Sequence, residues 1–254
     1  MREINLYSGK IIRNDKDQPI EEGMESEIFL YSNPTYYDRN VVLKKLRPWK
    51  EFLDNGINIL GDYDENKRKK IEIIKDMPCF KDEVQILDAV TEFRNFIGYT
   101  MEICPYPRLD VFSDRETKIE CLKLIREKIR RLNDSGVFVG DFNSNNFLVN
   151  KNNNEVVMCD LDNFRIGDLD FDIKHKFIQE FYSKCSKEDY VDSYALNLFT
   201  LALLTESRNA YVLQHLSEFS LPEELDTKEN RDVLDSMNNL DDSYQPRFLI
   251  DNLK

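Results

Sequence analysis

Short apolar runs near the amino terminus follow the pattern of β-strands. Ser26–Tyr31 and Val41–Leu43 are rich in branched and aromatic residues, and turn-forming residues separate them. Two further strands are predicted over Glu92–Asn95 and Phe96–Cys104, where prolines follow the second. The first part of the chain is therefore predicted to be rich in β-structure.

Helical spacing of apolar residues dominates the rest of the chain. Asp64–Met77 and Thr117–Leu132 each carry apolar positions three and four residues apart, with charged residues between them. We interpret the basic run Lys67–Lys70 as a solvated helix face. Val191–Thr205 is the most apolar segment and predicts a buried helix, whereas residues 48–63 predict a short helix and a loop. The acidic last fifty residues predict short helices.

One stretch, Gly136–Phe164, predicts a β-hairpin. Its apolar runs Phe147–Val149 and Val156–Met158 are separated by the asparagine-rich tract Asn150–Glu155, and asparagine tolerates the positive φ of tight reversals. A hairpin brings its two flanks to one end. The oxygen-bearing side chains on these flanks suit Mg²⁺, which prefers oxygen ligands; they are Asp141, Asn146, Asp160 and Asp162.

Composition narrows the class of protein. A net charge of −13 argues against a nucleic-acid or anionic-membrane partner, and 41% apolar residues suffice for a sizeable core. The five cysteines form no zinc or disulfide pattern, which favours a reducing cytoplasm. The apolar run Ala195–Leu204 is too short to span a bilayer. We therefore expect a cytoplasmic protein with no membrane segment, and we interpret His175 and His215 as surface residues.

These segments resemble motifs of the protein-kinase-like superfamily, and they occur in the order of that family. Asp141–Val149 is similar to its catalytic loop, D-x-x-x-x-N followed by a strand, and Asp160–Asp162 stands at the position of its metal-binding D-F-G triplet. Val41–Lys44 is similar to the V-A-I-K strand, and Met101–Cys104 resembles the gatekeeper and hinge beside the adenine. Asp192 opens a segment that resembles the buried central helix, whose aspartate holds the catalytic loop.

The resemblance covers about residues 20–205 and implies an α+β, bilobal protein-kinase-like fold. It implies a small N-lobe over residues 1–104, with an antiparallel sheet and one helix. The larger, mainly helical C-lobe would span residues 105–254 and carry the catalytic hairpin 136–164. ATP and Mg²⁺ are the implied ligands.

The resemblance also assigns catalytic roles. Lys44 would contact the α- and β-phosphates, and a helix glutamate would orient it; Glu72 is our choice and Glu83 the alternative. Asp141 would accept or orient the proton of the substrate hydroxyl. Asn143 occupies the catalytic-loop position of a family lysine, so a positive charge near the γ-phosphate is missing.

Asn146 and Asp160 would hold Mg²⁺, with Asp162 as a second candidate because the register is ambiguous there. We favour Asp160, since it directly follows the apolar run Val156–Cys159. The positions implied to contact the nucleotide are Gly23, Ser26, Ile28, Val42, Lys44, Glu72, Met101, Glu102 and Cys104.

Three departures from the family pattern affect the expected activity. The glycine-rich loop retains only its middle glycine, Gly23, which should weaken nucleotide binding, because glycines let backbone amides approach phosphates. Val139-Gly140 replace the His-Arg before Asp141, so activity would not need activation-loop phosphorylation. No A-P-E motif occurs between residues 163 and 191, which leaves no recognisable platform for a peptide substrate.

The first hypothesis is an ATP- and Mg²⁺-dependent phosphotransferase acting on protein Ser or Thr hydroxyls, because the lysine, base, asparagine and metal aspartate are all retained. A pseudokinase that binds or scaffolds partners is the second, motivated by the reduced glycine loop. A small-molecule kinase is the third, motivated by the missing A-P-E motif.

Overall fold

The structure is a computed structural model. It describes residues 3–6, 11–13, 18–22, 26–31, 41–47, 63–92, 95–153, 155–172 and 174–253. The protein is α+β, and its contacts divide it into two compact units. One unit comprises Met1–Pro105 with Leu161–Asn163, and the other comprises Tyr106–Asp160 with Phe164–Lys254. The boundary predicted after residue 104 lies one residue before the observed one, and Leu161–Asn163 was predicted to belong to the second unit.

The first unit contains a seven-stranded antiparallel sheet with the strand order β2-β1-β6-β7-β5-β4-β3. Its strands are β1 Glu3–Leu6, β2 Ile11–Arg13, β3 Glu21–Glu22, β4 Ser26–Tyr31, β5 Val41–Leu46, β6 Ile86–Glu92 and β7 Asn95–Glu102. The predicted strands at 26–31, 41–43 and 96–104 are confirmed.

Glu92–Asn95 was predicted as one strand, but Glu92 ends β6, Asn95 begins β7, and these two residues pair with each other across the two strands. Asp88 interrupts the apolar run of β6 and hides its strand pattern. This aspartate is buried, and its carboxylate accepts a hydrogen bond from Lys75 at 3.0 Å. A charged residue inside a buried strand is tolerated when it is paired in this way.

Alternation along the strands gives the sheet two different faces. One face contributes Phe29, Val41, Leu43 and Val90 to a buried apolar cluster. Lys44 lies on the opposite face, because successive side chains of a strand point to opposite sides. The side chain of Lys44 therefore points away from the apolar cluster.

Helix α1, Tyr63–Asp76, lies within the first unit, and Pro78 opens a 3₁₀ turn just after it. This confirms the helix predicted over 64–77. The interpretation of Lys67–Lys70 as a solvated face is wrong at both ends of the run, since Lys67 and Lys70 are each 0% exposed. The predicted helix and loop at 48–63 lie, except for Tyr63, outside the described residues.

The described part of the second unit is mainly helical, as predicted. Its helices are α2 Arg115–Asp134, α3 Lys176–Lys184, α4 Val191–Leu204, α5 Asn209–Gln214 and α6 Lys228–Asn238. Asp114 caps α2 by accepting hydrogen bonds from the backbone amides of Glu116 and Thr117. Every residue of α4 is buried, which confirms the buried helix predicted from the most apolar segment of the chain. None of the helices in the described residues combines the length and apolarity that a bilayer crossing requires.

The second unit also contains two short pairs of antiparallel strands. Strand β9, Phe147–Asn150, pairs antiparallel with β10, Glu155–Met158, which confirms the predicted hairpin. Strand β8, Val137–Phe138, pairs antiparallel with β11, Arg165–Ile166. Gly136, just before β8, has a φ of +73°, the left-handed conformation that glycine adopts without strain after a helix.

Candidate functional site

The Asp141 carboxylate is the centre of a hydrogen-bond network in the second unit. Asn143 Nδ2 donates to both of its oxygens at 3.1 Å, and Asn146 Nδ2 donates to Oδ2 at 3.0 Å. His175 Nε2 lies 3.3 Å from Oδ1. Burial raises the pKa of Asp141, but the hydrogen bond and charge of His175 and the bonds from both asparagines outweigh it, so the pKa lies below its usual value. Asp141 is therefore ionised at neutral pH and able to interact with a hydroxyl proton.

Local backbone structure aims both asparagines at Asp141. Asn143 caps the 3₁₀ turn Ser144–Asn146, because its Oδ1 accepts a hydrogen bond from the backbone amide of Asn145 at 3.0 Å. The side-chain oxygen is used for the cap, so the nitrogen turns to Asp141. Asn146 also donates to the backbone carbonyl of Asp141 at 3.2 Å, which closes the loop.

Asp192 fixes the backbone just before Asp141. Its Oδ1 accepts from the amide of Gly140 at 2.8 Å and its Oδ2 from the amide of Val139 at 2.9 Å. With its amide nitrogen turned towards these acceptors, Asn133 donates to the same Oδ2 at 2.8 Å. The prediction that Asp192 holds this loop is confirmed.

Burial raises the pKa of Asp192 to about 6, and the backbone hydrogen bonds from Val139 and Gly140, together with the charge of Arg165, offset only part of the effect. Neutral amide dipoles thus compensate the buried charge incompletely. The donor from Asn133 acts in the same direction as the backbone amides.

In the hydrogen-bond pattern of the β9–β10 hairpin, Asp160 directly follows the residue that is bonded to Asn146. Phe147 pairs with Met158, and beyond that pair the amide of Cys159 donates to the carbonyl of Asn146 at 3.0 Å. Asp160 follows with a φ of +62°. A non-glycine residue in this conformation is strained by roughly 1 kcal/mol or more, and such strain clusters at functional sites.

The first unit contains a second cluster, centred on Asp162. Lys44 Nζ lies 2.7 Å from Asp162 Oδ1, and Lys67 Nζ lies 2.7 Å from Oδ2. The Tyr99 hydroxyl donates to Oδ1 at 2.7 Å. Burial would raise the pKa of Asp162, but the charges of both lysines and their hydrogen bonds hold it well below the usual range. Asp162 is thus an ionised, fully buried carboxylate.

The structure does not support the role predicted for Glu72. Glu72 does not face the Asp162 cluster; its side chain is 40% exposed and pairs with Arg68 at 3.2 Å. The helix residue that reaches the carboxylate bound by Lys44 is Lys67. The alternative, Glu83, is buried and lies outside the helix, just after the 3₁₀ turn Pro78–Phe80.

Lys67 was missed because it stands in a run of charged residues. Its spacing nevertheless indicates a buried position. One helix face carries, at positions i, i+3, i+4 and i+7, the residues Lys67, Lys70, Ile71 and Ile74, and all four are buried. His175 was also missed, and no spacing pattern in the sequence marks it. It is half-buried beside Asp141 instead of lying on the surface.

Four of the predicted nucleotide positions in the sheet, Ser26, Ile28, Val42 and Met101, share the face of Lys44. Ile28 pairs with Lys44, which in turn pairs with Tyr99; one row further along, Val42 pairs with Met101. Ser26 lies two residues before Ile28 and therefore points to the same side. Glu102 pairs with Val41 and belongs to the other face; Cys104 follows the sheet and is half-buried; Gly23 lies outside the described residues.

The oxygen donors on the hairpin flanks suit a metal held jointly with a phosphate ligand. Within the described ranges, no group of three or more His, Cys, Asp or Glu side chains is placed to hold a metal ion. Asn146 uses Nδ2 for Asp141, so its Oδ1 is the atom that suits a hard cation. Mg²⁺ commonly takes one or two protein carboxylates and obtains its other ligands from phosphates and water. Asn146 and Asp160 fit this pattern, whereas Asp162 is bound to two lysines.

No family model matches the chain, and no curated protein shows significant similarity to it.

Proposed function

We propose that the protein is an ATP- and Mg²⁺-dependent phosphotransferase with a bilobal protein-kinase-like fold, which transfers phosphate to Ser or Thr hydroxyls of a protein. The observation that carries the proposal is the fixed, ionised Asp141 carboxylate. Asn143 and Asn146 bind it directly, and Asp192 holds the preceding backbone at 2.8–2.9 Å. Phosphoryl transfer depends on positioning and charge neutralisation, which such a preorganised loop supplies.

Asp141 receives or orients the proton of the attacking hydroxyl. Its lowered pKa keeps it ionised, and both asparagines restrict rotation of its carboxylate. Proton handling of this kind contributes roughly 10²–10⁴-fold to a rate.

Lys44 and the Asn146–Asp160 pair act on the phosphates. Lys44 would contact the phosphates, and the hydrogen bond from its Nζ to Asp162 Oδ1 at 2.7 Å holds its ammonium group in place. Asn146 and Asp160 would hold Mg²⁺, which when bound neutralises charge on the phosphates. We place the activity in the reducing cytosol, because none of the five cysteines, all of which lie in the described ranges, forms a disulfide.

The test is transfer of radiolabelled γ-phosphate to the protein itself and to a generic protein acceptor. Asp141→Asn should lower the rate roughly 10²–10⁴-fold, and Asp160→Asn should also abolish most of the Mg²⁺-dependent rate. Asp168→Asn makes the same chemical change at an exposed turn residue and should retain the wild-type rate. Acid hydrolysis of the labelled acceptor should release phosphoserine or phosphothreonine.

Equal rates in the wild type and in both variants would overturn these assignments. Transfer to small alcohols or amines without transfer to protein would instead identify a small-molecule kinase.

One observation favours a pseudokinase, a binding or scaffolding module with weak or no catalysis, as the second candidate. Lys44 is buried, with its side chain 6% exposed, and it is engaged by Asp162. A thermal unfolding assay with Mg-ATP measures whether the protein binds the nucleotide. A ligand at 100 times its Kd adds about 2.7 kcal/mol of stability, so a shift without phosphate transfer would favour the binding module. No shift at millimolar Mg-ATP would count against nucleotide binding altogether.

A further inference from the structure

The helix that faces Lys44 supplies a lysine to the cluster. Lys67 of α1 extends to Asp162 Oδ2, and Lys44 of β5 extends to Oδ1, both at 2.7 Å. Glu72, on the same helix, points to Arg68. The carboxylate that contacts Lys44 comes from the 3₁₀ turn Leu161–Asn163, which follows the β9–β10 hairpin.

The surroundings of Asp162 hold its carboxylate in one orientation. Tyr99 pairs with Lys44 across β5 and β7, and its hydroxyl donates to Oδ1 at 2.7 Å. Lys67 binds the other oxygen, so rotation of the carboxylate would break contacts at both oxygens. Asp162 is 1% exposed and Tyr99 is 1% exposed. A charge-assisted hydrogen bond in such a dry, packed setting is short and directional.

We propose that Asp162 is the positioning residue for Lys44, in place of a helix glutamate, and that Lys67 fixes the orientation of Asp162. The role of Lys44 rests on the phosphotransferase function proposed above. Asp162 acts through the lysine and does not touch the reacting atoms. The segment after the hairpin would thus supply two carboxylates with separate tasks, Asp160 for the metal and Asp162 for the lysine.

Moving the carboxylate from the turn to the helix tests this proposal. Asp162→Asn removes the charge from the turn, and the double variant Asp162→Asn/Lys67→Glu places a carboxylate on α1 at a side chain that already reaches this point. Asp162→Asn should lower kcat/KM for ATP about 10–100-fold, mainly through a higher KM, because Lys44 loses its charge-assisted partner. The double variant should recover at least a tenth of the wild-type value.

A second readout does not depend on catalysis. The reaction of Lys44 with an amine-acylating reagent is followed by mass spectrometry, with exposed Lys81 as the internal reference. An ammonium held by a carboxylate keeps its proton and does not react, so labelling of Lys44 should be slow in the wild type. It should be faster in Asp162→Asn, and slow again in the double variant.

The outcomes distinguish this proposal from the function on which it rests. If Lys44 labelling responds as stated but no variant and no wild-type protein transfers phosphate, Asp162 positions Lys44 and the phosphotransferase proposal fails. A purely structural role predicts that the double variant recovers thermal stability without recovering slow labelling or kcat/KM. That result, or unchanged Lys44 labelling in a folded Asp162→Asn protein, overturns the positioning role.

Discussion

Asp162 and Asp192 are both fully buried carboxylates, 1% and 0% exposed, and the two units of the protein hold them in different ways. Asp162 meets two ammonium groups and a tyrosine hydroxyl. Asp192 meets the backbone amides of Val139 and Gly140. Their pKa values move in opposite directions, well below the usual range for Asp162 and up to about 6 for Asp192.

Burial alone therefore does not decide the charge of a carboxylate. The full charges of Lys44 and Lys67 lower the pKa of Asp162 by more than its burial raises it. The amide dipoles around Asp192 lower its pKa by less than its burial raises it. The two arrangements suit different tasks. A carboxylate held by lysines can orient a cation for a ligand, whereas one held by amides fixes a loop. The following predictions test this contrast, beginning with the largest effect.

Removal of the Asp162 charge should have the largest effect on stability. Asp162→Asn leaves Lys44 and Lys67 buried without this carboxylate, and breaking a buried ion pair from one side costs about 3–5 kcal/mol. Urea denaturation at pH 7 measures the change in the free energy of unfolding. Asp168→Asn, at an exposed position, should change it by less than about 0.5 kcal/mol. A loss below about 1 kcal/mol for Asp162→Asn would remove the contrast with Asp192.

The two carboxylates should affect the pH dependence of stability with opposite signs. The folded pKa of Asp192, about 6, lies above its ordinary value of 3.8, so its contribution to stability is complete below about pH 4 and is lost as the pH rises towards 6. The lowered pKa of Asp162 gives a contribution that is present above pH 4 and lost as the pH falls through its folded value.

Denaturation curves between pH 4 and pH 7 separate these contributions. Asp192→Asn should be more destabilising at pH 4 than at pH 7, by up to about 3 kcal/mol. Wild-type and variant stabilities that run parallel over this range would show that Asp192 is not perturbed.

At pH 7 the substitution at Asp192 should cost less than the substitution at Asp162. The asparagine oxygen can accept from one of the two amides, Val139 or Gly140, and the other is left without its partner, which costs about 1–3 kcal/mol. The folded Asp192→Asn protein should also lose phosphotransfer, since the loop carrying Asp141 is released. A variant with the wild-type rate would show that the loop does not need this anchor.

His175 should have the smallest effect, because it supplies one of several contacts to Asp141. His175→Gln removes the imidazole 3.3 Å from Asp141 Oδ1, and a partly exposed ion pair is worth about 0.2–1 kcal/mol, so kcat should fall roughly 1.5–5-fold. His215→Gln is the matched control, since His215 stacks on Tyr211 at the end of α5. Equal rates for the two variants would remove His175 from the site.

The sequence was informative where structure depends on nearby residues. The β9–β10 hairpin follows from two apolar runs around an asparagine tract, and α4 follows from the most apolar segment of the chain. Asp141 and Asn146 are five residues apart and meet within one loop, so their contact was also accessible.

Contacts between distant segments were harder to predict. The charged face of α1 was interpreted as solvated because the carboxylate that pairs with Lys67 lies far along the chain, at Asp162. Glu72 was chosen from its residue type, yet it lies off the face that carries Lys67, Lys70 and Ile74. Chemistry identified the kinds of residue needed, whereas packing decided which of them are buried together.

A crystal structure with Mg²⁺ and a non-hydrolysable ATP analogue tests the central claim most directly. We expect Mg²⁺ on Asn146 Oδ1 and Asp160, with Lys44 contacting phosphate and still bound to Asp162 at about 2.7 Å. Mg²⁺ coordinated by Asp162, with Lys44 released from it, would contradict the division of tasks between the two aspartates. Failure of the nucleotide to bind at millimolar concentration would contradict the proposed phosphotransferase function.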